Sequence, residues 1–147
     1  MENKEWKAPT GKHKPIVSVS NYDRIDGRYA HDTDAKALSL GFAQYNKLGT
    51  PRDQREISLK IWRRDKRGWK RMSEEMPIHR NLDLSILFIK TLIEGYNQQS
   101  FLVSPEQKLT SHPQNGSIQE IMDYYEKNKS FLEPRLKELK RLLEEWL

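Results

Sequence analysis

The sequence predicts an α+β fold in which an antiparallel meander of about four strands packs on a central helix, followed by a C-terminal helical segment. Three observations support it: two stretches alternate apolar and polar residues, the segment between Pro77 and Gly95 has apolar residues at helical spacing, and residues 117–147 carry helix-start signals. In a chain of 147 residues we expect a mobile N-terminal arm at 1–13 and a single domain over 14–147.

Three segments have the composition of strands. Residues 15–20 (PIVSVS) alternate β-branched apolar residues with polar ones, and residues 56–64 (EISLKIWRR) show the clearest alternation. Residues 35–45 (AKALSLGFAQY) would also fit a helix capped by Asp34. Gly41 inside such a helix would cost about 1 kcal/mol relative to Ala, which favours a strand.

The remaining parts of the sheet follow from these strands. A strand over residues 35–45 has one face of small residues, which would let a helix or a ligand approach the backbone closely. Residues 65–68 (DKRG) have the form of a hairpin turn with Gly68 left-handed, and residues 69–75 would be the returning strand.

The central helix is predicted between two punctuating residues. Pro77 suits the first helical turn, where its missing N–H has no intrahelical partner to lose. Gly95 is a typical stop signal. The apolar residues between them form one wide stripe, so we expect this helix to lie on the sheet.

The C-terminal segment is predicted to be helical with one break. Residues 117–120 (SIQE) have the form of a capping box. A second box at 130–133 (SFLE), followed by Pro134, predicts a break and restart near residues 128–130. Apolar residues then recur at spacings of 4, 3, 4 and 3, as Leu132, Leu136, Leu139, Leu143 and Trp146. This pattern is typical of a helix docked on its own domain or of a helix–helix seam in a homodimer or larger homo-oligomer.

Composition limits the class of protein. The chain has no cysteine, which excludes disulfides, thiolate metal sites and a cysteine nucleophile. No apolar run reaches the roughly 20 residues that cross a bilayer, and the N-terminus has no apolar core of a signal peptide. We therefore expect a cytoplasmic protein without a membrane partner.

The positive charge of the chain is unevenly distributed. The net charge is +5, but residues 1–80 hold 18 basic against 11 acidic residues and residues 81–147 hold 8 against 10. A phosphate-bearing partner would thus be attracted to the first half.

The most unusual stretch is YDRIDGRYAHDTDAK, residues 22–36. Its Arg and Lys side chains can hold phosphate, its Tyr rings can stack on a base, and its Asp side chains can bind hydroxyl or N–H groups. His79 and Arg80 at the start of the central helix add an end that favours anions. The candidate ligand-binding residues are Tyr22, Arg24, Asp26, Arg28, Tyr29, Asp32, Asp34, Lys36, His79 and Arg80. A salt-bridged structural clasp without a ligand is the alternative interpretation of this loop.

Motifs for metal binding and catalysis are weak. A calcium loop centred on Gly27 would need oxygen ligands at Tyr22 and Arg24. His31 with Asp32 and Asp34 offers a single imidazole, whereas catalytic zinc usually has more than one. The chain has no G-x-S-x-G elbow and no glycine-rich phosphate loop. We therefore favour a non-enzymatic role and expect neither a metal nor a cofactor.

The basic hairpin KIWRRDKRGWKR, residues 60–71, suggests an alternative function. Aromatic rings stack on bases and Arg contacts phosphates, which is typical of proteins that bind nucleic acid. The residues that would make these contacts are Lys60, Trp62, Arg63, Arg64, Arg67, Trp69 and Arg71. The simpler interpretation is a solvated hairpin in which Trp62 covers the second face of the sheet.

Two stretches carry a resemblance to a known family. The segment KPIVSVSNYDRIDGRYAHDTDAKALSLGFAQ (14–44), followed by EISLKIWRR (56–64) and SEEMPIHRNLDLSILF (73–88), resembles a family of small, functionally uncharacterised proteins from bacteria and their phages. The resemblance covers about half of the chain and is not expected beyond Gly95. It implies a cytosolic protein of bacterial, phage or prophage origin.

A looser likeness, of type rather than motif, bears on function. The chain is similar in size and residue types to small phage anti-defence proteins that sequester nucleotide immune signals and are often α+β oligomers. We therefore expect a nucleotide-binding, non-enzymatic protein that forms a homo-oligomer. The alternatives are a nucleic-acid-binding accessory protein that uses the basic hairpin, and an interaction module that inhibits a host protein through its C-terminal helix.

Overall fold

The structure is a computed structural model that describes residues 13–44, 56–70, 73–95 and 100–147. Contacts divide the chain into two units, one up to Leu82 and the other from Asp83 onward. Each unit is described by itself. The single domain and the packing of the central helix on the sheet stay predictions, because the two units are described separately. The mobility of the arm also stays a prediction, because residues 1–12 lie outside the described part.

The first unit contains an antiparallel sheet. Its strands are β1 (Lys14–Ser20), β2 (Ala35–Phe42), β3 (Ile57–Asp65), β4 (Gly68–Trp69) and β5 (Glu75–Pro77). The order is β1-β2-β3-β4, and β5 also pairs with β3. The predicted meander is therefore confirmed, as is the strand interpretation of the segment that begins at Ala35.

The predicted returning strand is wrong in detail, because it is two short strands instead of one. Strand β4 ends at Trp69, and β5 begins only at Glu75. Between them, the hydroxyl of Ser73 accepts the amide N–H of Arg63 at 3.1 Å. A side chain thus takes the place of a backbone partner in the ladder, and regular pairing resumes where Glu75 lies opposite Lys60.

The two faces of β2 differ as the sequence predicts. The small residues are buried and the alternate ones, such as Leu38, are half-buried. A close backbone approach occurs at Gly41, where the start of β1 makes it. A Cβ atom at Gly41 would lie 2.0 Å from the carbonyl oxygen of Lys14 and 2.7 Å from the Cα of Pro15. The start of β1 therefore requires glycine at this position.

The helices are α1 (Ile78–Glu94), α2 (Ile118–Lys127) and α3 (Lys129–Trp146). Pro77 is the last residue of β5 and not part of the helix, so the helix starts one residue later than the sequence predicts. Gly95 ends α1 as predicted, with φ of +61° and its amide bonded to the carbonyl of Thr91. The capping box at Ser117 is also present.

The break in the C-terminal segment occurs at Asn128 alone. Its side-chain amide donates to the carbonyl of Tyr124, and its own carbonyl accepts the amides of Phe131 and Leu132. One helix is thus closed and the next begins directly after the same residue. The predicted second capping box does not form, because Ser130 already lies inside α3.

Among the residues that the structure describes, no helix combines the length and the apolar character that crossing a membrane requires.

Candidate functional site

The loop from Asn21 to Asp34 is built from two short 3-10 turns, Tyr22–Arg24 and Gly27–Tyr29. Gly27 takes the left-handed conformation expected of it, with φ of +53°. The amide of His31 donates to the carbonyl of Asp23 at 2.6 Å and draws the second turn back onto the first. The loop is therefore a folded feature with a defined conformation.

Asp34 connects this loop to the basic hairpin. Its carboxylate accepts a hydrogen bond from Arg63 at 2.6 Å and another from Lys70. Arg63 also donates to Glu74 at 2.6 Å. The hydrogen bonds from Lys70 and Arg63 lower the pKa of Asp34, and that from Arg63 lowers the pKa of Glu74. We call Asp34, Arg63, Lys70 and Glu74 the clasp, because they join three chain segments through charge-assisted bonds.

A second ion pair lies within the loop itself. Lys36 is 3.3 Å from Asp23, and both side chains are partly exposed. Two of the predicted ligand residues, Asp34 and Lys36, thus already have partners within the protein. For these two positions the geometry supports the clasp interpretation.

The other predicted loop residues lie closer to solvent. Arg24, Arg28, Tyr29 and Asp32 are exposed, and Asp26 is half-buried. The guanidinium of Arg28 lies 5.4 Å from the centre of the Tyr29 ring, which is a cation–π distance. The loop therefore presents a cation and an aromatic ring side by side on its outer surface.

Tyr22 lies elsewhere, at a cavity of about 270 Å³ on the apolar face of the sheet. We call this the Tyr22 pocket. It lies on the same face as the side chains of Leu38, Leu59 and Ile61, because these positions alternate with the buried small-residue face. Its further lining residues are Ser39, Lys60, Glu74, Met76 and Asn81.

Asn81 brings the start of α1 to this pocket. It is the fourth residue of the helix, and His79 and Arg80 directly precede it. Both are exposed. The fold therefore brings Tyr22 near the helix start that carries His79 and Arg80, although 57 positions separate Tyr22 from His79 in the numbering. Glu74, which lines the same pocket, ties it to the clasp.

Most of the described side chains named for the basic hairpin contact other groups of the protein. Trp62 is 4% exposed, so its ring covers the small-residue face and cannot stack on a base in this structure. The ammonium group of Lys60 lies 4.1 Å from the centre of the same ring. Arg63 belongs to the clasp, whereas Arg64 lies 5.6 Å from the Trp69 ring. Arg67 is exposed at the turn, and Arg71 lies outside the described residues.

A buried polar network, which sequence reasoning missed, occupies the small-residue face. His13 is 1% exposed. Its Nδ1 atom lies 3.0 Å from Oε1 of Glu75, and its Nε2 atom lies 2.9 Å from Oγ of Ser39. Ser58 donates to the same Glu75 oxygen at 2.7 Å, and the indole N–H of Trp62 donates to Ser39 at 2.8 Å.

The donors and acceptors of this network fix the direction of its bond to Glu75. An ionised carboxylate only accepts, so Nδ1 of His13 carries a proton, and in the neutral ring Nε2 accepts the hydroxyl of Ser39. Burial lowers the pKa of His13 and outweighs the opposing contact with Glu75. Burial alone would raise the pKa of Glu75, but hydrogen bonds from the Gln44 amide, Ser58 and His13 hold it below its ordinary value.

Ser39, His13 and Glu75 are hydrogen-bonded in the same order as the residues of a catalytic triad. The further contacts of Ser39 nevertheless indicate a structural role. Ser39 is 5% exposed, and its oxygen already accepts the N–H of Trp62. A nucleophile must reach its substrate, which this hydroxyl does not in the described structure. The network instead anchors the residue before β1 to three strands. Its partners lie 26, 45 and 62 positions from His13, so no local motif signals it.

Among the described parts of the chain, no group of three or more His, Cys, Asp or Glu side chains is arranged to hold a metal ion. The residues His31, Asp32 and Asp34, considered from the sequence as a weak metal site, do not form one. Asp34 is directed toward the hairpin cations instead.

Comparison with known families shows that the chain belongs to a family of unknown function, DUF6530, which it matches over residues 7–147. The match includes the part beyond Gly95, which the sequence resemblance was not expected to cover. That expectation was too narrow, and the C-terminal helices belong to the family as the sheet does. Neither a curated protein nor a solved structure matches the chain.

Proposed function

We propose that the protein binds a small, phosphate-bearing, nucleotide-like ligand without turning it over, and that the ring of this ligand enters the Tyr22 pocket. The observation that carries the proposal is the meeting of Tyr22 and Asn81 at one cavity of about 270 Å³. Drug-sized ligands occupy cavities of roughly 300–1,000 Å³. A cavity just below that range suits a single heterocycle whose remaining groups extend into solvent.

The chemistry of the lining suits a nucleobase. Leu38, Leu59 and Ile61 offer apolar contact to the face of a ring, and Tyr22 offers an aromatic one. The Asn81 amide can both donate and accept a hydrogen bond, as the edge of a base requires.

The charged groups outside the pocket suit a phosphate. His79 and Arg80 lie in the first turn of the 17-residue helix α1, whose N-terminal amides favour an anion. Arg24 and Arg28 are exposed on the loop that contributes Tyr22. We assign the phosphate to the start of α1 and to the exposed arginines of this loop, because they place positive charge on the surface next to the pocket.

The biological role that fits such a binder is sequestration. A protein that holds a nucleotide without reacting with it lowers the free concentration of that nucleotide. We therefore propose a phage or prophage counter-defence protein that acts in the cytoplasm on a nucleotide signal. This part of the proposal is supported by likeness in size and residue type alone. Nucleic-acid binding by the hairpin and inhibition of a host protein stay the alternative predictions.

The direct test is calorimetric titration with a panel of mono-, di- and cyclic nucleotides. We expect at least one member to bind. Asn81→Asp keeps the shape of the side chain but removes its N–H donors, and Arg28→Lys removes the planar fork that matches a phosphate. Arg28→Lys is expected to weaken binding about tenfold or more, since a charge-assisted hydrogen bond contributes roughly 1.5–3 kcal/mol. Asn81→Asp is expected to weaken it by up to about tenfold, since a neutral hydrogen bond contributes roughly 0.5–1.5 kcal/mol.

Arg67→Gln is the matched control, because it removes one exposed positive charge at the hairpin turn. It should leave the affinity within about twofold, since a remote exposed charge is screened by salt. If no nucleotide binds the wild-type chain, the proposal is wrong and the loop is a clasp alone. If Arg67→Gln weakens binding as much as Asn81→Asp, the ligand lies at the hairpin and not in the Tyr22 pocket.

A further inference from the structure

Helix α3 carries an apolar stripe that is half-buried at Leu132 and Leu136 and exposed further along the helix. We call Leu132, Leu136, Leu139, Leu143 and Trp146 the α3 seam. From its middle onward the seam is open: Leu139 is 49% exposed, Leu143 is 50% and Trp146 is 82%. Leu142 and Leu147 lie beside it and are 46% and 87% exposed. A helix docked on its own unit would cover these side chains, so this interpretation does not fit the second half of α3.

The polar side of α3 narrows the kinds of partner that can cover the seam. The helix carries five basic and four acidic side chains. Most are paired along the helix, as Lys137 is with Glu133 at 2.7 Å and Arg141 is with Glu138 at 2.7 Å. An amphipathic helix that binds an anionic membrane surface is instead rich in unpaired basic residues on its polar face. The near-neutral polar side therefore disfavours a lipid surface.

The spacing of the seam suits a second α-helix. Apolar residues at alternating intervals of 4 and 3 keep one line of side chains against a helical partner. In heptad terms Leu136 and Leu143 are at a, and Leu132, Leu139 and Trp146 are at d. The flanking e positions hold Glu133 and Lys140, and the g position between them holds Arg135.

Charges at the flanking positions distinguish the two orientations of a pair of identical helices. In a parallel pair a g residue faces the e residue five positions later on the partner, so Arg135 would face Lys140 and repel it. In an antiparallel pair e residues face each other. With Leu136 opposite Leu139, Glu133 of each copy would then face Lys140 of the other and attract it.

We propose that two copies of this chain associate through the α3 seam, with their helices antiparallel and Leu136 of one copy opposite Leu139 of the other. Such a pair brings Leu132, Leu136, Leu139 and Leu143 of each copy against the same four residues of the other, whereas a specific protein–protein interface buries at least about 1,000 Å² in total. It needs no residue of the Tyr22 pocket, so it stands independently of the proposed ligand.

The first test is the mass of the full chain in solution, measured by light scattering over a range of micromolar concentrations. We expect a dimer. Leu139→Ala with Leu143→Ala should raise the dissociation constant about 100-fold or more, because these are central contacts of the seam. Lys137→Ala with Glu144→Ala is the matched control on the polar side of the same helix. It should remain dimeric, and helix content by circular dichroism should be retained in both variants.

The second test determines the relative orientation of the two helices. Because the chain has no native cysteine, only the introduced cysteines can form a disulfide. A mixture of the Leu136→Cys chain and the Leu139→Cys chain should form a disulfide-linked dimer on mild oxidation. In the antiparallel pair the Cα atoms of these two positions would be close enough for a disulfide. Leu139→Cys alone should cross-link poorly. Likewise, Lys140→Glu should weaken an antiparallel pair and strengthen a parallel one. A monomeric wild type, with or without binding to lipid vesicles, overturns the proposal, as does efficient cross-linking of Leu139→Cys to itself.

Discussion

The Nδ1 atom of His13 lies 3.0 Å from the Oε1 atom of Glu75, and both side chains are almost fully buried. The same carboxylate oxygen accepts the hydroxyl of Ser58 and the backbone amide of Gln44. One histidine thus ties the residue before β1 to strands that lie far from it in the sequence. The contact makes His13 the position at which we expect substitution to have the largest effect on stability.

His13→Ala should lower the free energy of unfolding by about 3 kcal/mol, because it removes one hydrogen-bond partner from the buried Ser39, Ser58 and Glu75 side chains and leaves a cavity where the ring was. The midpoint of urea denaturation measures this change. His112→Ala is the control, since His112 is exposed, and we expect its midpoint to stay close to that of the wild type. Equal midpoints for the two variants would mean that the network does not hold the sheet together.

Stability should also fall on mild acidification because of the same residue. Burial lowers the pKa of His13 below its ordinary value of 6.5, against the opposing influence of Glu75 and with a smaller contribution from Lys60. Between the unfolded and the lower folded pKa, the unfolded chain binds more protons, so stability is lost as the pH falls. Urea midpoints at pH 7 and about pH 5.5 measure this change in stability. Both pH values lie above the range in which most carboxylates titrate.

His13→Asn isolates that contribution, because asparagine does not titrate. We expect its stability to be lower at both values of pH but to change less between them. An unchanged difference between pH 7 and about pH 5.5 in this variant would assign the acid sensitivity to other groups.

The clasp should contribute modestly to stability. Asp34→Ala removes the hydrogen bonds from Arg63 and Lys70. Because these groups are partly exposed, we expect a loss of about 0.5–1 kcal/mol in the free energy of unfolding, decreasing as salt is added. Asp32→Ala, at an exposed position of the same loop, is the control. A loss that is independent of salt would point to packing of the loop and not to its charges.

The basic hairpin should bind single-stranded nucleic acid weakly at most. The clasp engages Arg63 and Lys70, while Lys66 and Arg67 are exposed at the turn. Each phosphate that a cation neutralises on a single strand contributes about −0.7 to the slope of log K against log salt concentration. We expect a slope no steeper than about −2 by fluorescence anisotropy. A steeper slope would mean that more basic residues than the two at the turn contact phosphates, and it would favour the nucleic-acid alternative.

The sheet and the helix limits could be predicted because their signals are local. Alternation identified β2 in spite of its small residues, and Gly95 and Ser117 marked helix limits through their own backbone preferences. The sequence predicts Pro77 inside the helix, because a proline suits a first helical turn as well as the end of a strand. Where the returning strand is split, the hydroxyl of Ser73 accepts the amide of Arg63, and the sequence carries no signal for this contact.

The site was predictable only in part, for a related reason. Residue types indicated a charged loop beside aromatic rings, and Tyr22 does line a pocket. They did not indicate that Asp34 bonds the hairpin, since Arg63 lies 29 positions away. Asn81 carries no motif and was not among the predicted residues. His13 was assigned to the arm because one polar residue in a polar stretch gives no sign of burial, which only its distant partners create.

The most direct measurement of the central claim is a heteronuclear NMR titration of the isotope-labelled full chain with the nucleotide panel. We expect the amide resonances of Leu38, Leu59, Ile61 and Asn81 to shift together and to saturate for at least one nucleotide. An aromatic base in the Tyr22 pocket would lie near all four amides, and its ring current would shift their resonances. Shifts confined to Lys66 and Arg67, or no shift at millimolar nucleotide, would contradict the claim that this pocket is the binding site.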